Sequence, residues 1–148
     1  MINHVCTLMF KVMKRILFIG LLIICHVTFV FSQIKADDLK GYYLAYDPKT
    51  GDKAQMEIYR TPDSKYEAKV LWVENKNNSH EVGTVQIRNL TFDSKTCEWK
   101  NGKVMYDGSE YSMIVSFTDD GRLKLRGYLG FSLLGKTVYW TRERELRK

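Results

Sequence analysis

From Gly41 to Arg142 the chain alternates apolar and polar residues, and neither of its two prolines interrupts an alternating run. Period two marks strands with one buried face, and a proline inside a paired strand would remove a ladder hydrogen bond. Pro48 lies in Asp47-Pro48-Lys49-Thr50-Gly51 and Pro62 in Thr61-Pro62-Asp63-Ser64, both turn sequences. The pattern predicts strands over 41–47, 53–60, 65–74, 82–92 (one strand or two), 96–100, 103–106, 110–118, 122–129 and 136–142. Ala54, Met56 and Ile58 share one face; so do Tyr66, Ala68, Val70 and Trp72, and again Tyr111, Met113, Val115 and Phe117. Leu123, Leu125 and Leu129 oppose Arg122, Lys124 and Arg126. Asn101-Gly102 predicts a two-residue hairpin turn. Phe131-Ser132-Leu133-Leu134, between Gly130 and Gly135, predicts an apolar loop packed at one end of the fold. About eight to ten short strands at regular spacing specify a sandwich or barrel. A closed up-and-down antiparallel barrel also removes exposed edges.

The first 32 residues are of another kind. Lys11, Lys14 and Arg15 precede an uncharged apolar run from Ile16 to Phe31, which ends in Ser32-Gln33. Basic flank, apolar run and small exit residue predict a secretory signal peptide, with Val30 and Ser32 at the positions a peptidase inspects and cleavage after Ser32. The run is shorter than the about 20 residues of a spanning helix and is interrupted by His26 and Thr28. Cys25 follows Ile24, where a lipidation site requires a small residue. Met13-Lys14-Arg15 would open a more typical signal than Met1 does. The expectation is a signal peptide over 1–32, one domain over 33–148, and a periplasmic or extracellular destination with no stable membrane anchor after cleavage.

Loss of that segment changes the chemistry available. Three of the 23 basic residues leave and none of the 17 acidic ones, so 20 face 17 and the net charge is +3. That suits solubility and is not a nucleic-acid footprint. Cys97 and His80 become the only cysteine and histidine, which excludes an internal disulfide, a three-histidine zinc site and a Cys2His2 site. No phosphate-cradling glycine loop is present. A serine triad would have to use His80, which lies in the polar stretch Asn75-Lys76-Asn77-Asn78-Ser79-His80-Glu81 and reads as a solvated loop histidine. Cys97 reads as a small strand residue, and no pair of carboxylates stands in matched apolar contexts. Asn77 and Asn89 open sequons that matter only in a host that glycosylates asparagine. No catalytic residue, metal site or cofactor is expected.

Trp99-Lys100-Asn101-Gly102-Lys103-Val104-Met105-Tyr106-Asp107, then Tyr111-Ser112, and the long stretch from Leu123 to Arg142 (Leu-Lys-Leu-Arg-Gly-Tyr-Leu-Gly-Phe-Ser-Leu-Leu-Gly-Lys-Thr-Val-Tyr-Trp-Thr-Arg) resemble the bacterial domain-of-unknown-function family 2147. The resemblance implies a small exported protein with a calycin fold, the lipocalin-like barrel. It transfers a fold and a compartment and no activity. Two features depart from the pattern. Gly41-Tyr42-Tyr43 puts tyrosine where lipocalin-like chains open with Gly-x-Trp, and the middle section over 75–85 is short.

Such barrels use a late arginine to cover the aromatic of the opening motif, a cation–π contact. The resemblance implies that Arg142 and Tyr43 form that structural pair. Arg126, among Tyr128 and Trp140, is either a grip for an acidic head group or a solvated outer-face residue. The predicted inner wall is Met56, Ile58, Tyr66, Val70, Trp72, Tyr111, Met113, Val115, Phe117, Leu123, Leu125, Val138 and Trp140. Its candidate ligand contacts are Tyr66, Trp72, Tyr111, Met113, Arg126 and Trp140. About eight strands suffice either for a core filled by its own side chains or for one small ligand. Two readings follow: a non-enzymatic binder of a small apolar or amphipathic molecule, or a filled envelope or protein-interaction module.

Overall fold

The computed structural model describes residues 33–106, 108–129 and 135–148. The expected signal segment and the expected apolar loop over 131–134 lie outside the described residues. Eight antiparallel strands close into a barrel in chain order: β1 (Gly41–Tyr46), β2 (Lys53–Arg60), β3 (Tyr66–Val73), β4 (Val85–Asp93), β5 (Glu98–Tyr106), β6 (Ser109–Phe117), β7 (Leu123–Tyr128) and β8 (Lys136–Glu143). Two short 3-10 turns accompany them: η1 (Ala36–Leu39) ahead of β1 and η2 (Lys76–Glu81) between β3 and β4. No helix among the described residues is long and apolar enough to cross a membrane.

Closure follows from the alternation. Tyr43 stands opposite Met56 on β2 and Arg142 on β8, and Val115 opposite both Trp99 and Leu125. Directly opposed residues share a face, so these pairs carry one apolar wall around the inside. Leu39, Tyr43, Ile58, Tyr66, Ile87, Leu90, Trp99, Val115, Leu123 and Leu125 are fully or almost fully buried in that core.

Bulges change two expectations. Asn101-Gly102 does not turn the chain. β5 runs through it as one strand, with Asn101 at φ +62° and a register shift against β6 between Trp99 and Gly102. Asparagine tolerates positive φ at a bulge as well as in a turn, and the pair alone does not distinguish the two. Gly102 is required by packing, because a Cβ there would lie 2.6 Å from Leu90 Cδ2. The reversal between β4 and β5 falls instead at 94–97, where Cys97 adopts φ +55°, so this residue belongs to a turn and not to a strand. The second bulge is in β3: Met56 faces Val70 while Gln55 faces Trp72, which leaves Leu71 as the extra residue. One extra residue reverses the phase. Val73 becomes the next buried inner residue, and Trp72 shares the outer face with Gln55 and Leu44.

That outer face has its own cover. The charged C-terminal segment lies across it: the Gln55 carboxamide donates to Glu143 Oε2 and the Glu145 carbonyl, both at 2.7 Å, and accepts from the Arg147 amide at 2.9 Å. Arg147 stacks 5.3 Å from the Trp72 ring centroid and pairs with Glu143. Gln55 is fully buried as a result, and a buried amide with three partners satisfies the cost of its desolvation. The Trp72 Nε1–H is buried and has no hydrogen-bond partner among the described residues.

Candidate functional site: a barrel closed at one end and hollow at the other

The closed end is built by η1 and the residues it touches. Leu39 is fully buried there. Its carbonyl accepts from the Tyr43 hydroxyl at 2.9 Å, and the Ala36 carbonyl accepts from Trp99 Nε1 at 3.1 Å. The Tyr66 hydroxyl donates to Asp37 at 2.6 Å. Trp99 packs against Phe92, with ring centroids 5.0 Å apart, and edge-on against Phe117 at 5.6 Å. The Arg142 guanidinium lies 5.0 Å from the Tyr43 ring centroid and donates to the Tyr43 hydroxyl at 2.7 Å, the Lys40 carbonyl at 3.0 Å and the Asp38 carbonyl. Gly41 makes room for it: at φ +141°, a Cβ would lie 2.9 Å from Arg142 Nη1. Burial pushes the Tyr43 phenol up to about 12. Burial, then the bond to Asp37, pushes Tyr66 up to about 12 as well. The same bond, with Lys40 beside it, holds the Asp37 carboxyl below the usual range.

Among the described residues the other end is open and hollow. A cavity of about 530 Å³ enters the barrel there, within the about 300–1,000 Å³ of small-molecule sites. Met56, Val70, Ile87, Met113, Leu125 and Trp140 line its depth. The space exists because small residues occupy part of the wall: Ala45 faces Ala54, and Gly127 faces Met113 with nothing closer than 3.9 Å to a Cβ placed on it. Toward the mouth the lining becomes polar, with Asp47, Lys53, Glu81, Gln86, Tyr106, Tyr111, Tyr128 and Lys136. Asp47 accepts from the Lys49 amide at 2.6 Å and from the Tyr106 hydroxyl at 3.4 Å, and Asn75 donates to Asp52 at 3.1 Å, tying η2 to the β1–β2 turn. Lys53 pairs with Glu74 at 3.1 Å. Lys136 stands opposite Gly127 on the inner wall, and no carboxylate among the described residues lies within ion-pair distance of it.

The candidate residues read from the sequence divide among these regions. Tyr111, Met113 and Trp140 line the cavity. Tyr66 does not; its hydroxyl belongs to the closed end. Trp72 is carried to the outer face by the Leu71 bulge. Arg126 pairs in register with Ile114 and Thr137 and lies outside the cavity, on the face opposite Leu125 and Gly127. Sequence reasoning passed over Ile87, Gln86, Tyr106 and Lys136. Lys136 was visible as the first residue of the last strand, two positions before the inward Val138. His80 sits in the exposed η2 turn, its ring against the Asn77 carbonyl at 3.3 Å. No cluster of three or more metal-ligating side chains occurs among the described residues.

An eight-stranded antiparallel barrel with one plugged end and one open, apolar-lined end is a lipocalin-like architecture. In agreement, protein HP1028 of Helicobacter pylori, described as belonging to the lipocalin family, superposes with a TM-score of 0.58 over 72% of this chain and 84% of its own, at 19% identity. The chain belongs to the family described as "Uncharacterized protein conserved in bacteria (DUF2147)", whose model matches residues 41–142. No curated protein matches it.

Proposed function

We infer that this protein is an exported, non-enzymatic barrel that binds one small amphipathic molecule with a long apolar part and an acidic head. The observation that carries the reading is the graded cavity: about 530 Å³, apolar at depth, polar at the mouth. An apolar ligand part would displace poorly bound water from Met56, Met113, Leu125 and Trp140. The head would lie near Lys136, with the Tyr111 and Tyr128 hydroxyls as further partners. A charged head gains a charge-assisted hydrogen bond that a neutral one does not. The basic flank and apolar run before Ser32 support delivery outside the cytoplasm, where the native protein should begin at Gln33 when its N-terminus is sequenced.

Titration of long-chain fatty acids should quench Trp140, and Trp140→Phe should remove that component of the signal. Lys136→Ala should weaken fatty acids by about tenfold while leaving matching alcohols within about twofold. No Trp140 quenching together with no ligand mass in native spectra would sink the binding reading.

A further inference from the structure

The described residues include six large hydrophobic side chains that are clearly exposed: Tyr46, Val82, Met105, Leu129, Tyr139 and Leu146. Their distribution is uneven. Tyr46, Met105 and Leu129 line the cavity mouth, and Val82 directly follows Glu81, which lines it too. Tyr46 ends β1, Val82 lies in the β3–β4 connection, Met105 is near the end of β5, and Leu129 follows β7. In a barrel whose strands neighbour one another in chain order, those positions are spread around the whole circumference. Tyr46, Met105 and Leu129, with Val82 next to the mouth-lining Glu81, form a broken apolar ring about the mouth.

The geometry points to a lipid bilayer as what this ring meets: the protein docks mouth-down on a membrane surface. A ring of separate side chains suits a bilayer better than a second protein. Four partly exposed residues interrupted by Asp47, Asn78 and Glu81 offer no continuous face, and a stable interface needs about 800 Å² per partner. The interfacial zone of a bilayer accepts what the ring presents, namely methionine, leucine and valine tips, a tyrosine, and lysines that keep their ammonium groups in water. Lys49, Lys53 and Lys136 stand on the same rim. Asp47, Asp52 and Glu81 stand there too, so the rim is zwitterionic; Asp47 accepts from the Lys49 amide and Tyr106, Asp52 from Asn75, and Lys53 pairs with Glu74. Docking in this pose would join the apolar cavity to the apolar phase, so an amphipathic ligand would pass between them without crossing water. That consequence rests on the cavity reading; the docking itself does not.

The test therefore uses no ligand. The protein, Met105→Glu combined with Leu129→Glu, and Tyr139→Glu are each spun with vesicles of phosphatidylethanolamine and phosphatidylglycerol, after circular dichroism shows all three folded. Tyr139 is exposed on the wall away from the mouth, against Arg122. All three share one amino terminus, so differences report on the rim. The double variant should lose at least about fivefold in vesicle-bound fraction, and Tyr139→Glu should match the parent. A parent that stays in the supernatant overturns the proposal, as does a double variant that sediments like the parent. Self-association of the parent without vesicles, abolished in the double variant, would assign the ring to a second copy and overturn it too.

Discussion

The two ends of this barrel use the same strand pattern for opposite purposes. At the closed end the inward positions carry Tyr43, Tyr66, Trp99 and Phe117, and the 3-10 turn η1 fills what remains. Every polar atom brought in there has a partner: Trp99 Nε1 reaches Ala36, and the Tyr43 and Tyr66 hydroxyls reach Leu39 and Asp37. At the open end alanine and glycine hold the equivalent positions and the wall encloses space. Stability is therefore concentrated at one end, and the other is free to be hollow, since an unfilled cavity forfeits packing contacts that the floor supplies instead.

The largest effect that would break this division is at Trp99. Trp99→Ala should lower unfolding free energy by about 3–5 kcal/mol in urea titration, because it empties the floor and leaves the Ala36 carbonyl without its donor. A loss below about 1 kcal/mol would mean that the floor does not carry the fold. Two glycines sharpen the contrast. Gly102→Ala should cost about 1–3 kcal/mol, since its Cβ would meet Leu90 at 2.6 Å. Gly127→Ala, with 3.9 Å to spare, should be neutral or stabilising by up to about 1 kcal/mol. Equal thermal shifts for the pair would erase the distinction between the packed and hollow regions. Between the two glycines in size is Arg142→Ala, expected to cost about 1–2 kcal/mol through the lost stacking on Tyr43 and the carbonyl contacts to Asp38 and Lys40, measured by the same titration.

Legibility followed the regularity of the backbone. β6 and β7 alternate without interruption, and Tyr111, Met113, Leu123 and Leu125 were placed correctly on the wall by period alone. Where a bulge intervenes, period counting carries its phase one residue too far. Leu71 sends Trp72 outward, and Asn101 continues a strand where a turn was expected. Neither bulge has a composition cue that separates it from its alternative. The closed end was legible only through Tyr43 and Arg142, by way of the family resemblance. The role of Trp99 depends on η1, a segment whose polar sequence gives no sign that Leu39 is buried. The cavity depended on small residues whose effect exists only once the strands are closed, so no local pattern announced it.

The C-terminal segment bears on how the barrel comes apart. The β1–β8 seam is closed by three register pairs, Tyr42 with Glu143, Tyr43 with Arg142 and Leu44 with Thr141. The last residues continue past that seam, cross β1 and fasten to Gln55 on β2 and Trp72 on β3. They act as a buckle over a short zip. A load applied at Lys148 is borne first by the grip of one carboxamide on a neighbouring stretch of backbone, in shear, and reaches the seam only after that grip has let go.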